Sequence, residues 1–181
     1  GSGASPRQVD VAVVGDRVVK LLPRGTRADA RMVVDAQGRA VAPGFINVLS
    51  WATESLIADG RGVGDTKQGV TLEVFGEGSS GGPLTPEMKA LAKARQTDIK
   101  YEITWTSLGE YLEHLQNKGI APNVASFMGA ETTRVNVLGE VDVDPTPAQL
   151  DAMRGLVRTA MEEGALGVGA SLIYAPGTFA E

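Results

Sequence analysis

From Phe45 onward, four short apolar runs alternate with stretches of helical character, and this alternation restricts the chain to parallel β-α-β units. The first run is Phe45, Ile46, Val48 and Leu49, set off by Pro43-Gly44 and of the length of a buried strand. Val70 to Phe75 is the second, APNVASFMGAETTR (121–134) the third and ALGVGASLIYAPG (165–177) the fourth. Between them, 52–68 reads as helix and loop, and PEMKALAKAR opens a helix at Pro86. Ser107 with Glu110 forms a capping box for a helix stopped by Gly119. Thr146 caps a further helix with Pro147 at its first position and an apolar stripe of Leu150, Met153, Leu156, Val157 and Met161.

Residues 8–42 have a different rhythm. VDVAVV, RVVKLL, RMVVDA and RAVA are Val-rich runs separated by a Gly15-Asp16 turn, a loop from Pro23 to Thr26 and a Gln37-Gly38 turn, which are hairpin signals. We expect a small β-module over 1–42 and four βα units over 43–181, the first half of a (β/α)8 TIM-type barrel. Such a half leaves both sheet edges open and the barrel interior without its opposite wall, so it makes a poor stand-alone domain.

Phrases in register along the chain carry a family resemblance: PGFIN at 43–47, QGVT at 68–71, SFMG at 126–129, and EEGALGVG with its IYAP sequel. Together they resemble the amidohydrolase superfamily, in particular its D-aminoacylase (N-acyl-D-amino-acid deacylase) branch, over the N-terminal part of those enzymes. The resemblance implies that the β-module is part of a β-sandwich completed by distant C-terminal strands. GSGASP at the N-terminus reads as a linker or as the polar turn after a first sandwich strand. The implied chemistry is hydrolysis of an amide C–N bond by metal-activated water.

The ligand positions depart from the family. The first strand usually leads into a metal-binding H-x-H, and here those places hold Leu49 and Trp51, with Asn47 for the usual aspartate. The metal-bridging cysteine after the second strand is Gly78, with Glu77 beside it, and the third-strand histidine is lost at Ala130. Glu77 is either a solvated loop residue, the favoured reading, or a metal ligand or general base. Glu131 offers a second carboxylate of similar ambiguity. The resemblance places Tyr174 at the substrate, although a core tyrosine is nearly as good a reading. Trp51 suggests an apolar pocket floor and a bulky or hydrophobic substrate. Glu73, inside an apolar strand, would need a partner if buried.

The chain has no cysteine, hence no disulfide or thiolate site, and its single histidine, His114, reads as structural within a helix. SSGG at 79–82 lacks the lysine and spacing of a phosphate loop. A net charge of −5 without a Lys/Arg cluster argues against nucleic acid, and no apolar run is long enough to span a membrane. There is no signal-peptide pattern, and the cytoplasm is favoured without excluding the periplasm or secretion.

The leading expectation is the N-terminal portion of a metal-dependent, deacylase-like hydrolase acting on a small acylated substrate. It would be active only with the rest of the barrel, which could be a second polypeptide. One zinc ion would be held mainly by residues outside this chain. The alternative is a metal-free, non-catalytic homologue serving as a binding or assembly subunit, and a weaker third reading is a self-contained α/β ligand-binding domain.

Overall fold

In the computed structural model, which describes residues 4–26 and 29–180, the chain divides into two units, Gly1–Pro43 and Gly44–Glu181. The first three residues of GSGASP lie outside the described residues. In the N-terminal unit, β1 (Val9–Val14) and β2 (Arg17–Pro23) form an antiparallel hairpin about the Gly15-Asp16 turn, with a register shift between Ala12 and Val13. Its far end is fixed by Asp10, whose carboxylate accepts from the Gly25 and Thr26 amides at 2.8 and 3.0 Å.

RMVVDA and RAVA, expected to be strands, are not. Only their Gln37-Gly38 turn forms, with the Asp35 carboxylate accepting from the Gln37 amide at 2.8 Å. Met32, Val33 and Val34 stay exposed, because a strand exists only where a neighbour takes its backbone hydrogen bonds, and none of the described residues does so.

The second unit is a mixed α/β structure. Strands β3 (Phe45–Asn47), β4 (Val70–Phe75) and β5 (Asn123–Ser126) form a parallel sheet in that order. The third apolar stretch continues as β6 (Met128–Gly129), which pairs in parallel with β7 (Val168–Gly169). The two sheets meet where Phe127 N–H donates to Phe75 O at 2.9 Å and Leu166 N–H to Ser126 O at 2.9 Å. The connections carry α1 (Thr53–Ala58), α2 (Val63–Thr66), α3 (Pro86–Arg95), α4 (Leu108–Lys118), α5 (Ala130–Leu138) and α6 (Pro147–Glu162).

The capping signals act as their chemistry requires. Ser107 and Glu110 form a reciprocal capping box on α4, Thr146 and Gln149 another on α6, and the Thr85 hydroxyl accepts from Met88 N–H at the start of α3. On α4 the spacing of Leu108, Tyr111 and Leu115 puts all three on one buried face. They pack with Leu56 of α1, Phe75 of β4, Trp105, Met128 of β6 and Ala160 of α6 to make the core.

Three expectations need correction. Residues 130–134, read as the end of a strand, begin α5, because Gly129 passes so close to Gly78 and Ser79 that a Cβ there would lie 2.3 Å from the Gly78 carbonyl oxygen. The chain turns at that contact. ALGVGASLIYAPG keeps only the two residues of β7, the rest being turns and a 3-10 turn at Gly177–Phe179. Along α6, Leu150 and Met161 are exposed, and the residue buried against the core is Ala160.

The run at β3 is likewise exposed rather than buried: Phe45 is 61% accessible, and Ile46, Val48 and Leu49 at least half so. β3 is an edge strand among the described residues, and β7, with Leu166, Val168, Leu172 and Ile173 exposed around it, bounds the other side.

Candidate functional site

The loop Gly76–Gly82, which leaves the C-terminal end of β4, organises the site. Gly76 has φ +95°, and a Cβ there would meet the Phe127 carbonyl oxygen at 2.1 Å, so only glycine lets the loop leave the strand this way. The loop is then fastened to the start of α5. Glu131 N–H donates to Gly78 O at 2.9 Å, Ser80 N–H to Thr132 Oγ1 at 2.8 Å, and Gly129 N–H to Ser80 Oγ at 3.0 Å. SSGG is thus a fastening between strand end and helix.

Beside this loop is an open cavity of about 310 Å3. Trp51 and Glu77 both line it, Trp51 at the rim with 68% of its surface accessible and Glu77 half-buried. Its remaining aromatic wall, which sequence reasoning missed, comes from Tyr101, Trp105 and Tyr111. Trp105 stacks on Tyr101, with centroids 6.2 Å apart and planes 7° from parallel, and meets Tyr111 at 5.2 Å in a tilted arrangement. Each ring is held by its polar atom: Trp105 Nε1 donates to Gly81 O at 2.7 Å, Tyr111 OH to Thr53 O at 3.2 Å, and Tyr101 OH to Glu54 Oε1 at 3.0 Å.

Burial, reinforced by the Glu54 carboxylate, pushes the Tyr101 phenol up to about 12, and burial raises that of Tyr111 as well. Both therefore act as hydrogen-bond donors and apolar walls, not as bases. Among the described residues the Glu77 carboxylate has no hydrogen-bond or ion-pair partner.

The other candidates fall outside the cavity lining. Glu131 sits beneath the loop: Oε2 accepts from Ser79 Oγ at 3.2 Å, and Oε1 is buried with no hydrogen-bond partner. Tyr174 is 62% accessible in a turn, its N–H facing Ser171 O at 3.4 Å and its carbonyl accepting from Thr178 N–H at 2.9 Å. Glu73, 1% accessible, has the strand parity of Phe75, whose ring packs on Tyr111 of α4, so its carboxylate points to the helix layer. Glu73 Oε2 has no partner there. His114 packs on Trp105, with ring centroids 4.8 Å apart.

These residues do not by themselves fit a metal centre. Leu49, Trp51 and Gly78 offer no donor atom, and no group of three His, Cys, Asp or Glu residues among the described residues is placed to hold an ion. Position 78 has moreover closed around its missing side chain. Gly78 has φ +74°, and a Cβ there would lie 2.9 Å from Ser171 Cβ and 3.0 Å from Glu131 Oε1.

No helix among the described residues is long and apolar enough to cross a membrane. No family model matches the chain. In sequence it is 32% identical over 183 aligned residues to an N-acyl-D-aspartate deacylase of Alcaligenes xylosoxydans xylosoxydans, covering 99% of this chain and 36% of that protein. In structure it superposes at a TM-score of 0.84 on a D-aminoacylase described for its binuclear metal centre, 28% identical over 99% of this chain and 38% of that one. The same score is reached against an N-acyl-D-glutamate deacylase of Bordetella bronchiseptica complexed with zinc and a phosphonate mimic of the tetrahedral intermediate, 29% identical.

The second unit thus has a mixed α/β fold that matches the N-terminal part of D-aminoacylase structures. More particularly, nearly the whole chain is similar to the N-terminal part of D-aminoacylases and N-acyl-D-amino-acid deacylases, and it spans a little over a third of their length.

Proposed function

We propose that this chain supplies the β-module (1–42) and the first four βα units (43–181) of a (β/α)8 amidohydrolase that removes the acyl group from an N-acyl-D-amino acid. The observation that carries this reading is the similarity along nearly the whole chain, in sequence and in fold, to enzymes named for that reaction. Exposed apolar residues at both sheet boundaries add support: Phe45, Ile46 and Leu49 at β3, and Leu166, Val168 and Ile173 near β7, are surfaces that further barrel strands would cover. The rest of the barrel would be more of the same polypeptide or a second one.

Since the described residues do not assemble a metal site, one zinc ion would be held mainly by groups outside this chain, with Glu77 the one contribution from within it. When bound, zinc supplies a nucleophilic hydroxide at neutral pH. The part of this chain is to shape the mouth. Glu77, without a partner and at the end of β4, would orient a water or accept its proton; Glu131 would do so only after releasing Ser79. Trp51, at the rim rather than the floor expected of it, would flank the acyl or side-chain pocket, and Tyr174 would donate to a substrate carboxylate or carbonyl.

A deacylation assay of the native protein on paired N-acyl-D- and N-acyl-L-amino acids tests the proposal. It predicts turnover of the D series, lost on chelation and restored by zinc. No turnover of any acylated amino acid by zinc-loaded protein would overturn it. Loss of donor atoms at 49, 51 and 78 favours a second reading, in which the homologue is non-catalytic and acts in binding or assembly, and that outcome would select it.

A further inference from the structure

The start of α5 buries polar side chains where a core helix would bury apolar ones. Thr132, Thr133 and Arg134 are each less than a tenth accessible, and Glu131 Oε1 is buried without a hydrogen-bond partner. A buried polar face is the informative exception in a protein interior, and an acceptor left unsatisfied there costs stability. These groups reach out to other segments. Thr132 Oγ1 accepts from the Ser80 amide at 2.8 Å and Glu131 Oε2 from Ser79 Oγ at 3.2 Å, which ties down the loop that carries Glu77. Arg134 Nη2 donates to the carbonyls of Val141 and Val143 at 3.2 and 2.8 Å, and its guanidinium carbon lies 5.9 Å from the centre of the Phe179 ring.

The unpartnered oxygen of Glu131 stands where two of these segments meet. A Cβ at Gly78 would lie 3.0 Å from Oε1 and one at Gly177 only 2.6 Å from it, so both stretches of backbone pass against this one atom. Gly78 follows Glu77 directly, and Gly177 belongs to the turn in which the Tyr174 carbonyl accepts from the Thr178 amide at 2.9 Å. We propose that Glu131 is a positioning residue, its carboxylate being the joint that sets the Glu77 loop and the Tyr174 segment at a fixed separation. The joint is independent of any hydrolytic activity, while its bearing on substrate rests on the deacylase reading of Glu77 and Tyr174. The oxygen forgoes a hydrogen bond because the space it fills, between two glycines, offers it no donor.

Amide hydrogen exchange of the native protein, read by mass spectrometry over 76–82, 130–138 and 171–178, tests the joint. Glu131→Ala should speed exchange about five- to tenfold in both 76–82 and 171–178, the effect of losing roughly one hydrogen bond, and leave the rest of α5 as in the parent. Glu131→Gln, which keeps the shape of the side chain, should exchange as the parent does. Gly177→Ala drives a Cβ into Oε1 and should therefore also speed exchange at 76–82, but not when Glu131→Ala is already present. In a turnover assay on an N-acyl-D-amino acid, Glu131→Ala should raise KM and lower kcat together, and Glu131→Gln should restore both. Faster exchange in only one of the two segments, or a Gly177→Ala effect on 76–82 that persists without Glu131, would overturn the joint. A parent protein without turnover would instead sink the deacylase reading, and the exchange result would still decide the joint.

Discussion

Gly78→Cys places a thiol where the family resemblance puts a metal ligand, and the structure predicts damage rather than a repaired site. A non-glycine residue held in the left-handed region, here at φ +74°, costs about 1–2 kcal/mol. Its Cβ would stand 2.9 Å from Ser171 Cβ, which cannot swing aside, and 3.0 Å from Glu131 Oε1, which can. Overpacking of that kind adds about 1–3 kcal/mol, for a total of about 2–5 kcal/mol. Urea unfolding should show a lower midpoint with unchanged slope. Adding Glu131→Ala should recover the part due to the carboxylate and none of the backbone cost. A Gly78→Cys protein within about 0.5 kcal/mol of the parent would show that the loop accepts a side chain, and the account of a closed position would fail.

Leu115→Ala, at a fully buried position on α4, should cost about 2–5 kcal/mol in the same assay. Thr146→Ala removes the α6 capping box and should cost about 1 kcal/mol, with Thr146→Ser close to neutral. Tyr101 has its folded pKa raised to about 12 by burial and then by Glu54, against about 10 in the unfolded chain. The neutral phenol is therefore favoured by folding: its contribution is complete below about pH 10 and fades as pH rises through about 12. Tyr101→Phe should flatten the unfolding midpoint across that window, and an unchanged pH profile in the variant would refute the assignment.

What the sequence revealed was whatever local chemistry decides. The bounds of β4, the Pro86 start of α3 and both capping boxes depend on residues within one turn of each other, and they appear where side-chain chemistry places them. What it did not reveal depends on neighbours distant in the chain. RMVVDA and RAVA have strand composition but no strand beside them among the described residues, and the apolar run at β3, paired with β4 on one side only, is exposed at the edge of its sheet. Of the site, Trp51 and Glu77 were legible as individual residues. Their sharing of a cavity with Tyr101, Trp105 and Tyr111 was not, although the clustering of three large aromatics within eleven residues, in a chain with only 5% aromatics, was a usable signal. Glu131 beneath the loop follows from the turn at Gly129, which no periodicity announces.

The central proposal is that these 181 residues form one part of a larger barrel of the kind found in the deacylases they resemble. Native mass spectrometry of the protein from its own source, followed by metal analysis of the same sample, tests it most directly. The account predicts that this sequence occurs within, or bound to, a polypeptide assembly roughly two to three times its length, carrying about one zinc per assembly. A lone, metal-free monomer of this chain that unfolds in a single cooperative transition would contradict it.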